Sequence, residues 1–350
     1  MLQRIPSFLI GIAMGLSIGV PSASAAPTST TVLAQTPLFV SEAVPPLVML
    51  VLGRDHSLFF EAYTDSSDLN GDGTLDLQFN PRIEYYGLFD STLCYTHSGG
   101  KANTDLFTPA GRTTATGLYK CTKQWSGNWL NYITTSRVDA LRKVLYGGHR
   151  DVDTKTSTVL RRAYIPQDGH SWAKEYTSST VNGYNISEYT PLSQPSTGRR
   201  HFFGNVTMAA GTNCATLSNC SNLPPFLSVV TNSTARVWDW ASSEAPVLND
   251  DTHKGTRTNY TARVAVCTAN YHDNDCQSYA GNYKPVGLLH QYVDGSMLFG
   301  LLTGSYDQNM SGGVLRKVVS DFSNEVDSAT GIFSSSNTIV ANLNNLRIRD

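Results

Sequence analysis

The apolar positions of this chain first form a continuous run at residues 47–52, Leu-Val-Met-Leu-Val-Leu, which ends at Gly53. Six apolar residues without polar alternation are typical of a strand that is buried on both faces, as in a parallel sheet, and the run is too short for a buried helix. The fold is therefore expected to begin near Pro46, with a strand inside a sheet.

A helical spacing follows at residues 128–146. The apolar positions recur every three to five residues, which is the period of an amphipathic helix, and they are Leu130, Ile133, Val138, Leu141 and Leu145. Ser126 or Asn128 is the expected N-cap, and the glycine pair at 147–148 is the expected stop. Trp125 and Trp129 are predicted to pack in the core, with a ligand platform as the alternative.

Short apolar runs separated by Gly, Pro, Asn and Ser dominate the rest of the chain and predict strands and turns. The runs are 202–203, 226–230, 236–240, 260–267 and 297–302, and another helix is expected to begin within 338–348. At a prior of about 150 residues per domain, the 350 residues form two domains or one large domain with insertions. The pattern predicts a mixed α/β or α+β class, with a β-rich insertion at about residues 155–285.

The first 25 residues have the pattern of a secretory signal peptide. Arg4 is the single charge before an apolar stretch at 8–20, and Ala23 and Ala25 stand at the small positions before the predicted cleavage site. The stretch is shorter than the roughly 20 residues that a spanning helix needs, which disfavours a membrane anchor. Residues 26–45 are predicted to form a linker, and the folded region is predicted to occupy residues 46–350. No later segment is long enough to span a membrane. An exported chain without a membrane-spanning segment is expected.

Composition and charge narrow the classes of partner. Hydrophobic residues make up 40% of the chain, aromatic residues 10% and charged residues 15%, which indicates a folded protein. With 26 basic and 28 acidic side chains the net charge is −2, and no Lys/Arg stripe is present. Nucleic acid is therefore not an expected partner.

An even number of cysteines in an exported chain predicts disulfides. The six are Cys94, Cys121, Cys214, Cys220, Cys267 and Cys276. Fifteen connectivities are open, and pairing of sequence neighbours, 94–121, 214–220 and 267–276, is the simplest. The zinc alternative lacks ligands at the usual spacing, because His272 with Cys276 leaves two positions of a tetrahedral site unfilled.

The segment DLNGDGTLD at residues 68–76 matches the front of a calcium-binding loop. The candidate ligands are Asp68, Asn70, Asp72, the backbone carbonyl of Thr74, and Asp76. Ca²⁺ takes six to eight oxygens at about 2.3–2.6 Å, and alternate residues of a tight loop with a glycine at its sixth position can supply them.

The match to a calcium loop ends at the twelfth position, where Phe79 replaces a bidentate acid. Asp65 or Glu84 is the nearest carboxylate that could complete the shell. The alternation at 75–80 predicts that the loop runs into a strand and not into the second helix of an EF-hand. The predicted cofactor is structural Ca²⁺, and the alternative is a turn without an ion.

Asp55 and Ser57 directly follow the first predicted strand. This is the place where a von Willebrand A-type domain carries its D-x-S-x-S metal-ion-dependent adhesion site. Phe59 stands where the second serine of that motif is expected, so the oxygen count falls short for Mg²⁺. A plain strand-to-loop junction is the preferred interpretation.

No catalytic motif with a mechanism is present, since the chain lacks G-x-S-x-G, H-E-x-x-H and Gly-rich phosphate loops. His149 and the segment 164–172, which contains His170, are interpreted as hydrogen-bonded turn formers. The prediction is a protein that is not an enzyme. A pair of carboxylates for glycoside hydrolysis is kept as an alternative, because their separation is a three-dimensional property.

Several segments resemble the N-terminal region of the PilC/PilY type IV pilus assembly and tip-adhesin proteins. They are residues 46–63, DLNGDG at 68–73, YYGLFDS at 85–91, WSGNWLNY at 125–132, SRVDALRKVLYGG at 136–148, YIPQD at 164–168 and GGVLRK at 312–317. The similarity spans nearly the whole mature chain, and the two long stretches at 125–148 are the most specific.

The resemblance implies an exported, pilus-associated protein with a von Willebrand A-like N-terminal region and a C-terminal calcium-binding β-propeller. No segment here matches propeller blades, so the chain is expected to be the N-terminal portion of a longer protein or a truncated relative. The incomplete adhesion-site pattern at Phe59 and the missing propeller calcium site are departures from the family.

The sequence thus predicts a pilus biogenesis or pilus-tip adhesion protein in the periplasm or at the outer cell surface. It is expected to act by binding pilus subunits, the assembly machinery, or a host or abiotic surface, with calcium and disulfides holding an aromatic-rich surface rigid. A secreted hydrolase acting on glycans and a glycan-binding module are the alternatives. Exposed tryptophans would favour the glycan-binding module, and buried tryptophans would argue against it.

Overall fold

Short strands and four short helices make up the computed structural model within the residues that it describes, which are 44–53, 55–98, 104–165, 170–206, 225–235, 255–304, 312–336 and 338–346. The strands are β1 Leu47–Leu52, β2 Leu93–His97, β3 Phe107–Arg112, β4 Trp125–Ser126, β5 Arg150–Thr154, β6 Ser157–Arg161, β7 Trp172–Tyr176, β8 Arg200–Val206, β9 Phe226–Ser233, β10 Thr256–Thr261, β11 Arg263–Val266, β12 Cys276–Tyr279, β13 Asn282–Pro285, β14 Leu298–Gly304 and β15 Gly313–Asp321. The helices are α1 Gly127–Thr134, α2 Arg137–Tyr146, α3 Ser179–Asn182 and α4 Ile339–Asn344.

Four sheets organise these strands. Their orders are β1-β14-β15, β10-β9-β8-β7, β4-β2-β3-β11-β6-β5 and the hairpin β12-β13. Most neighbouring strands are antiparallel, whereas β1 with β14 and β11 with β3 are parallel. The predicted mixed α/β class is confirmed. None of the helices in the described part of the chain is long and apolar enough to cross a membrane. The predicted signal peptide, Cys214, Cys220 and the run 236–240 lie outside the described residues.

Strand β1 is parallel to β14, as the apolar run predicts, with Leu47 opposite Leu298 and Leu52 opposite Thr303. The prediction that both of its faces are buried is wrong. Leu47, Met49 and Val51 are 65%, 40% and 66% exposed, while the alternate residues face a core. Only one face of this three-stranded sheet is therefore covered within the described residues.

The predicted helix at 128–146 is two helices. Thr135 and Ser136 have extended backbones between α1 and α2, and the Ser136 hydroxyl accepts the Asp139 N–H as the N-cap of α2. Ser126 caps α1, as one of the two predicted caps. Gly147 ends α2 with a φ of 86°, a left-handed conformation that favours glycine. The apolar spacing continues across the break, and the local capping hydrogen bonds divide the helix.

Both ends of α4 are held by buried charged side chains. The Glu325 carboxylate accepts the N–H groups of Ile339 and Val340, and the Arg142 guanidinium donates to carbonyls at the other end of α4, including that of Leu343. Negative charge at a helix N-terminus and positive charge at its C-terminus stabilise a short helix. These contacts dock α4 on α2 and cover the inner face of β1 and β14.

Aromatic residues form the largest core. Phe79 lies at its centre, in ring contact with five aromatic side chains, which are Tyr85, Trp129, Tyr132, Tyr184 and Tyr189. Trp125, Trp129 and Trp172 are at most 7% exposed, so the prediction that the first two are core residues is confirmed. The expected rigid surface is consequently not made of these tryptophans, and their burial argues against a glycan-binding module. Trp238 and Trp240 lie outside the described residues.

Two disulfides agree with the neighbour pairing. Cys94–Cys121 closes 27 residues and is buried, and Cys267–Cys276 closes nine residues nearer the surface. Both lie beside the six-stranded sheet, since Cys94 is in β2 and Cys267 follows β11.

Removing the longer disulfide is expected to cost more stability than removing the shorter one. Each disulfide stabilises the fold by lowering the entropy of the unfolded chain. This contribution is about 3.5 kcal/mol for a 27-residue loop and about 2.6 kcal/mol for a nine-residue loop. The double variants Cys94→Ala/Cys121→Ala and Cys267→Ala/Cys276→Ala should be compared by denaturant unfolding. An equal or reversed loss would contradict the entropic explanation.

Candidate functional site

The acidic loop, residues 68–76, is built on hydrogen bonds to its own carboxylates. Asp68 accepts the N–H groups of Gly71, Asp72 and Gly73 at 2.8–3.1 Å. Gly71 and Gly73 have φ values of 73° and 86°, which permit the two sharp turns. The first candidate ligand thus lies at the centre of the loop.

Asn70 and Asp72 extend the same arrangement. The Asp72 N–H donates to the Asn70 side-chain oxygen as well as to Asp68, and the Thr74 N–H donates to Asp72. The bond from the Thr74 N–H is the first cause of a lowered pKa of Asp72. Side-chain oxygens of Asp68 and Asn70 therefore converge on the Asp72 N–H in an exposed loop. Such oxygens are also the ligands that a hard cation prefers.

Asp76 closes the loop. Its carboxylate accepts the Leu69 N–H and the Asn80 amide, and its backbone bridges to Ser67. The prediction that a strand follows is wrong, since residues 77–80 form no ladder, and no helix follows either.

Both carboxylates expected to complete the shell are hydrogen-bonded to other groups. Asp65 accepts Lys174 and the Tyr132 hydroxyl, and Glu84 accepts the Ser91 hydroxyl. No group of three His, Cys, Asp or Glu side chains that could hold a metal occurs among the described residues. Calcium at the acidic loop stays a prediction.

The junction after β1, residues 55–60, is a capped turn. The Asp55 carboxylate accepts the Ser57 N–H at 2.8 Å and caps a single 3₁₀ turn at His56–Phe59. This hydrogen bond is the first cause of a lowered pKa of Asp55. Phe59 is fully buried, so no third oxygen is supplied where the adhesion-site motif needs one. The side chains at the junction do not fit Mg²⁺.

A groove that sequence reasoning missed lies between the segment after residue 84, α2 and residues 274–291. We call it the Tyr86 groove. Tyr86, Val144 and Leu288 are each 40% to 49% exposed along it, and its volume is about 600 Å³. An adjoining cavity of about 370 Å³ shares Tyr86, Lys143 and Asp275 with it.

Carboxylates predominate around the adjoining cavity. Glu84, Asp90, Asp273 and Asp275 line it with Lys143 as the one cation among its lining residues. Lys143 lies 3.8 Å from Asp275 and over the Tyr86 ring. Burial raises the pKa of Asp273, and the neighbouring Asp90 and Asp275 act in the same direction. The described lining is therefore negative and offers apolar contacts beside the charge.

Two asparagines of α1 position the loop that presents Tyr86. Asn128 accepts the Tyr85 N–H and donates to the Ile83 carbonyl, and Asn131 bonds the backbones of Tyr85 and Phe89. The sequence signal was available, because buried asparagines in an amphipathic helix need partners. Which backbone they bond could be learned only from the structure.

The fold and these sites define a mixed α/β protein with disulfide-closed loops and a groove beside a carboxylate-lined cavity. Two family models match the chain. One is described as the PilY1 homolog small alpha/beta domain and matches residues 76–223, and the other as the PilY1 homolog second domain and matches residues 299–350. The chain belongs to the PilY1-type family.

Two relatives from Xylella fastidiosa strain Temecula1 are both named type IV pilus biogenesis factor PilY1 homolog. One is 45% identical over 304 residues, which is 81% of this chain and 20% of the relative. The other is 27% identical over 223 residues, 61% of this chain and 17% of the relative. The chain thus spans about a fifth of the length of these relatives. No solved structure matches it.

Proposed function

We propose that this chain is part of a type IV pilus biogenesis factor that acts by binding and not by turnover. The observation that carries the proposal is the 45% identity, over 81% of the chain, to a relative with that name. Two of the segments that resemble the family contact each other. Asn128 and Asn131 of WSGNWLNY hydrogen-bond the backbone of the YYGLFDS loop.

The proposed location is the periplasm or the outer cell surface, after export by the N-terminal signal. Two disulfides support it, because such bonds persist in oxidising compartments. The proposed partners are pilus subunits or the assembly machinery, and adhesion to a host or abiotic surface is the further expectation from the family.

The Tyr86 groove is the proposed docking surface. Its exposed apolar side chains, Tyr86, Val144 and Leu288, can supply contact area, and the carboxylates beside them favour a partner segment that carries Lys or Arg next to an apolar residue. The disulfide at 267–276 restrains the loop that carries Asp273 and Asp275, so less ordering cost is paid on docking.

A von Willebrand A-like arrangement is the proposed fold of the region around β1. The support is strand β1, which is parallel to β14 and turns one face toward a core, the antiparallel β15 beside β14, and the D-x-S segment at the carboxyl end of β1. Ligands of open parallel sheets bind at the carboxyl ends of their strands, which is where Asp55 lies.

Calcium binding at the acidic loop is expected to raise the melting temperature. If free calcium is a hundredfold above the dissociation constant, binding adds about 2.7 kcal/mol to the free energy of unfolding. The measurement is thermal unfolding in calcium and in chelator, for the wild type and for Asp68→Ala. The variant should lose the calcium effect because Asp68 lies at the centre of the loop.

Asp327→Asn is the matched control for calcium. Asp327 is also an exposed aspartate that accepts backbone N–H groups in a turn, and it lies in another part of the chain. It should keep the calcium response. A wild-type melting temperature that chelator leaves unchanged would leave the acidic loop as a turn without an ion.

The proposed function is tested by deleting the coding region in the native host and counting surface pili by electron microscopy. Fewer pili, with the protein present in sheared pili, are expected. Complementation with Val144→Lys, which places bulk and positive charge in the Tyr86 groove, should restore fewer pili than wild type. Val181→Lys changes another exposed helical valine elsewhere and should complement fully.

Two outcomes distinguish a failure of the proposed pilus role from a failure of the proposed docking surface. Normal piliation after deletion, with the protein free in the medium, would overturn the pilus role, and polysaccharides would then be screened for cleavage and binding. Lost piliation with full rescue by Val144→Lys would keep the pilus role and remove the Tyr86 groove as its surface.

A further inference from the structure

Two histidines that the sequence separates by 114 positions meet at the junction after β1. His56 Nδ1 and His170 Nε2 are 2.8 Å apart. Their ring centroids are 5.0 Å apart with an interplanar angle of 23°, so the rings contact each other through these nitrogens. The sequence interpretation of the segment around His170 as a turn former did not anticipate this contact.

The pair lies at the surface beside Phe60 and Asp55. The Phe60 ring stacks on His170 with centroids 5.2 Å apart. His56 is exposed, and His170 is half-buried. The Asp55 carboxylate precedes His56 and is fixed by its bond to the Ser57 N–H. Two imidazole rings are thus in contact at the surface, and one of them is exposed.

We propose that His56 and His170 bind a first-row transition metal ion, with water as the source of the remaining ligands. Imidazole suits Cu²⁺, Ni²⁺ and Zn²⁺, whereas Mg²⁺ and Ca²⁺ prefer oxygen. The inference goes beyond the proposed function and does not depend on it.

The separation of the two nitrogens is compatible with one ion bound by both imidazoles. Two nitrogens at roughly 2.0–2.1 Å from one ion are about 2.9 Å apart at 90° and about 3.3 Å apart at a tetrahedral angle. The facing nitrogens now lie at hydrogen-bond distance, 2.8 Å, so their separation needs to change by only about 0.1–0.5 Å to reach either value. Each ring needs to turn about its side-chain bonds so that both lone pairs face the ion.

Binding requires one change of tautomer. In a neutral pair, one of the facing nitrogens carries the hydrogen that the other accepts. When the ion binds, that ring places its proton on its other nitrogen, so both facing nitrogens donate lone pairs and no net proton is released. The ion then joins the segment after β1 to the start of the segment that leads into β7.

The same position explains why an oxygen-based site fails. Phe59 removes the third oxygen of the adhesion-site motif, and it is buried beneath the junction. His170 instead brings a second nitrogen to the same place. The described part of the chain gathers no third His, Cys, Asp or Glu into a metal-binding group here, so water fills several positions and affinity is moderate.

The test is a titration of the full chain, expressed without a polyhistidine tag, with CuCl₂, NiCl₂, ZnCl₂ and MgCl₂. Calorimetry should give one site with Cu²⁺ tightest and no response to Mg²⁺. Nitrogen couplings in the electron paramagnetic resonance spectrum of the Cu²⁺ form should indicate two imidazoles. His56→Ala and His170→Ala should each weaken Cu²⁺ binding at least about tenfold.

His272→Ala is the matched control, because His272 is an exposed imidazole stacked on Tyr283 away from the junction. It should bind Cu²⁺ like the wild type. If His56→Ala is poorly folded by circular dichroism, His56→Gln provides the second variant with a polar side chain of similar reach. Unchanged Cu²⁺ affinity in both histidine variants, or equal stabilisation by Mg²⁺, would overturn the proposal.

Discussion

The free energy of unfolding should fall by several kcal/mol between pH 6.5 and pH 3 because of His290. Burial lowers the pKa of this imidazole to about 3, and the nearby positive charge of Arg150 acts in the same direction. The unfolded chain takes up a proton near pH 6.5, while the folded chain does not. Stability from His290 is therefore present above pH 6.5, and about 1.4 kcal/mol is lost for each pH unit below it.

Packing explains why His290 stays neutral. Its Nδ1 accepts the Gly287 N–H, and its ring contacts Phe322 and Phe333, so a protonated ring would carry its charge into an apolar core. It forms part of the lining of the Tyr86 groove. Acid should consequently loosen the wall of the groove before it affects the larger aromatic core.

The measurement is urea unfolding at half-unit pH steps for the wild type and His290→Asn. Asparagine keeps an acceptor for the Gly287 N–H and has no titratable group, so the variant is less stable at pH 7 and loses this part of the pH dependence. The buried carboxyls Glu325 and Asp139 have pKa values raised by burial, and they contribute equally to both proteins. Parallel stability curves for the two proteins would contradict the assignment.

Gly127→Ala should destabilise the protein by about 3 kcal/mol or more, the upper range for overpacking. A Cβ at this position would lie 2.0 Å from the Asp90 carbonyl oxygen and 2.9 Å from the Tyr95 ring. The Asp90 backbone cannot yield easily, since its N–H donates to the Tyr95 hydroxyl. The gain in helix propensity from Gly to Ala, about 1 kcal/mol, is smaller than this cost.

Gly111→Ala is the control for this substitution. Its Cβ would approach nothing closer than 4.0 Å, so a change within about 0.5 kcal/mol is expected. Both proteins are compared by denaturant unfolding. A similar small effect for Gly127→Ala would indicate that the loop at 85–91 moves away from α1 at little cost, and that the Tyr86 groove is less rigid than proposed.

Local signals predicted much of the fold. The apolar run at 47–52 became β1, Ser126 became a helix cap, and Gly147 became a helix end, because each depends on residues within one or two turns of the chain. Neighbouring cysteines paired for a similar reason, since short loops close most readily. The family resemblance, carried by contiguous segments, was likewise confirmed.

Errors arose where a residue's environment depends on distant chain. The exposure of Leu47, Met49 and Val51 depends on what covers a three-stranded sheet, which the apolar run cannot encode. The single predicted helix became two because Ser136 found a capping partner locally and the loop at 83–89 packed against α1. The two carboxylates expected to complete the calcium shell bond other partners. Glu84 accepts the Ser91 hydroxyl, and Asp65 accepts Lys174 and the Tyr132 hydroxyl.

Adjacent residues were enough to predict the mixed α/β class, the positions of β1, β8–β11, β14 and α4, the acidic loop and the PilY1-type family. Which side chains share a site depends on the tertiary structure. The Tyr86 groove joins residues from 84 to 291, and the His56–His170 contact spans 114 positions. Sheet pairing and core packing bring residues so far apart in the sequence into contact. Both depend on the whole chain and not on local pattern.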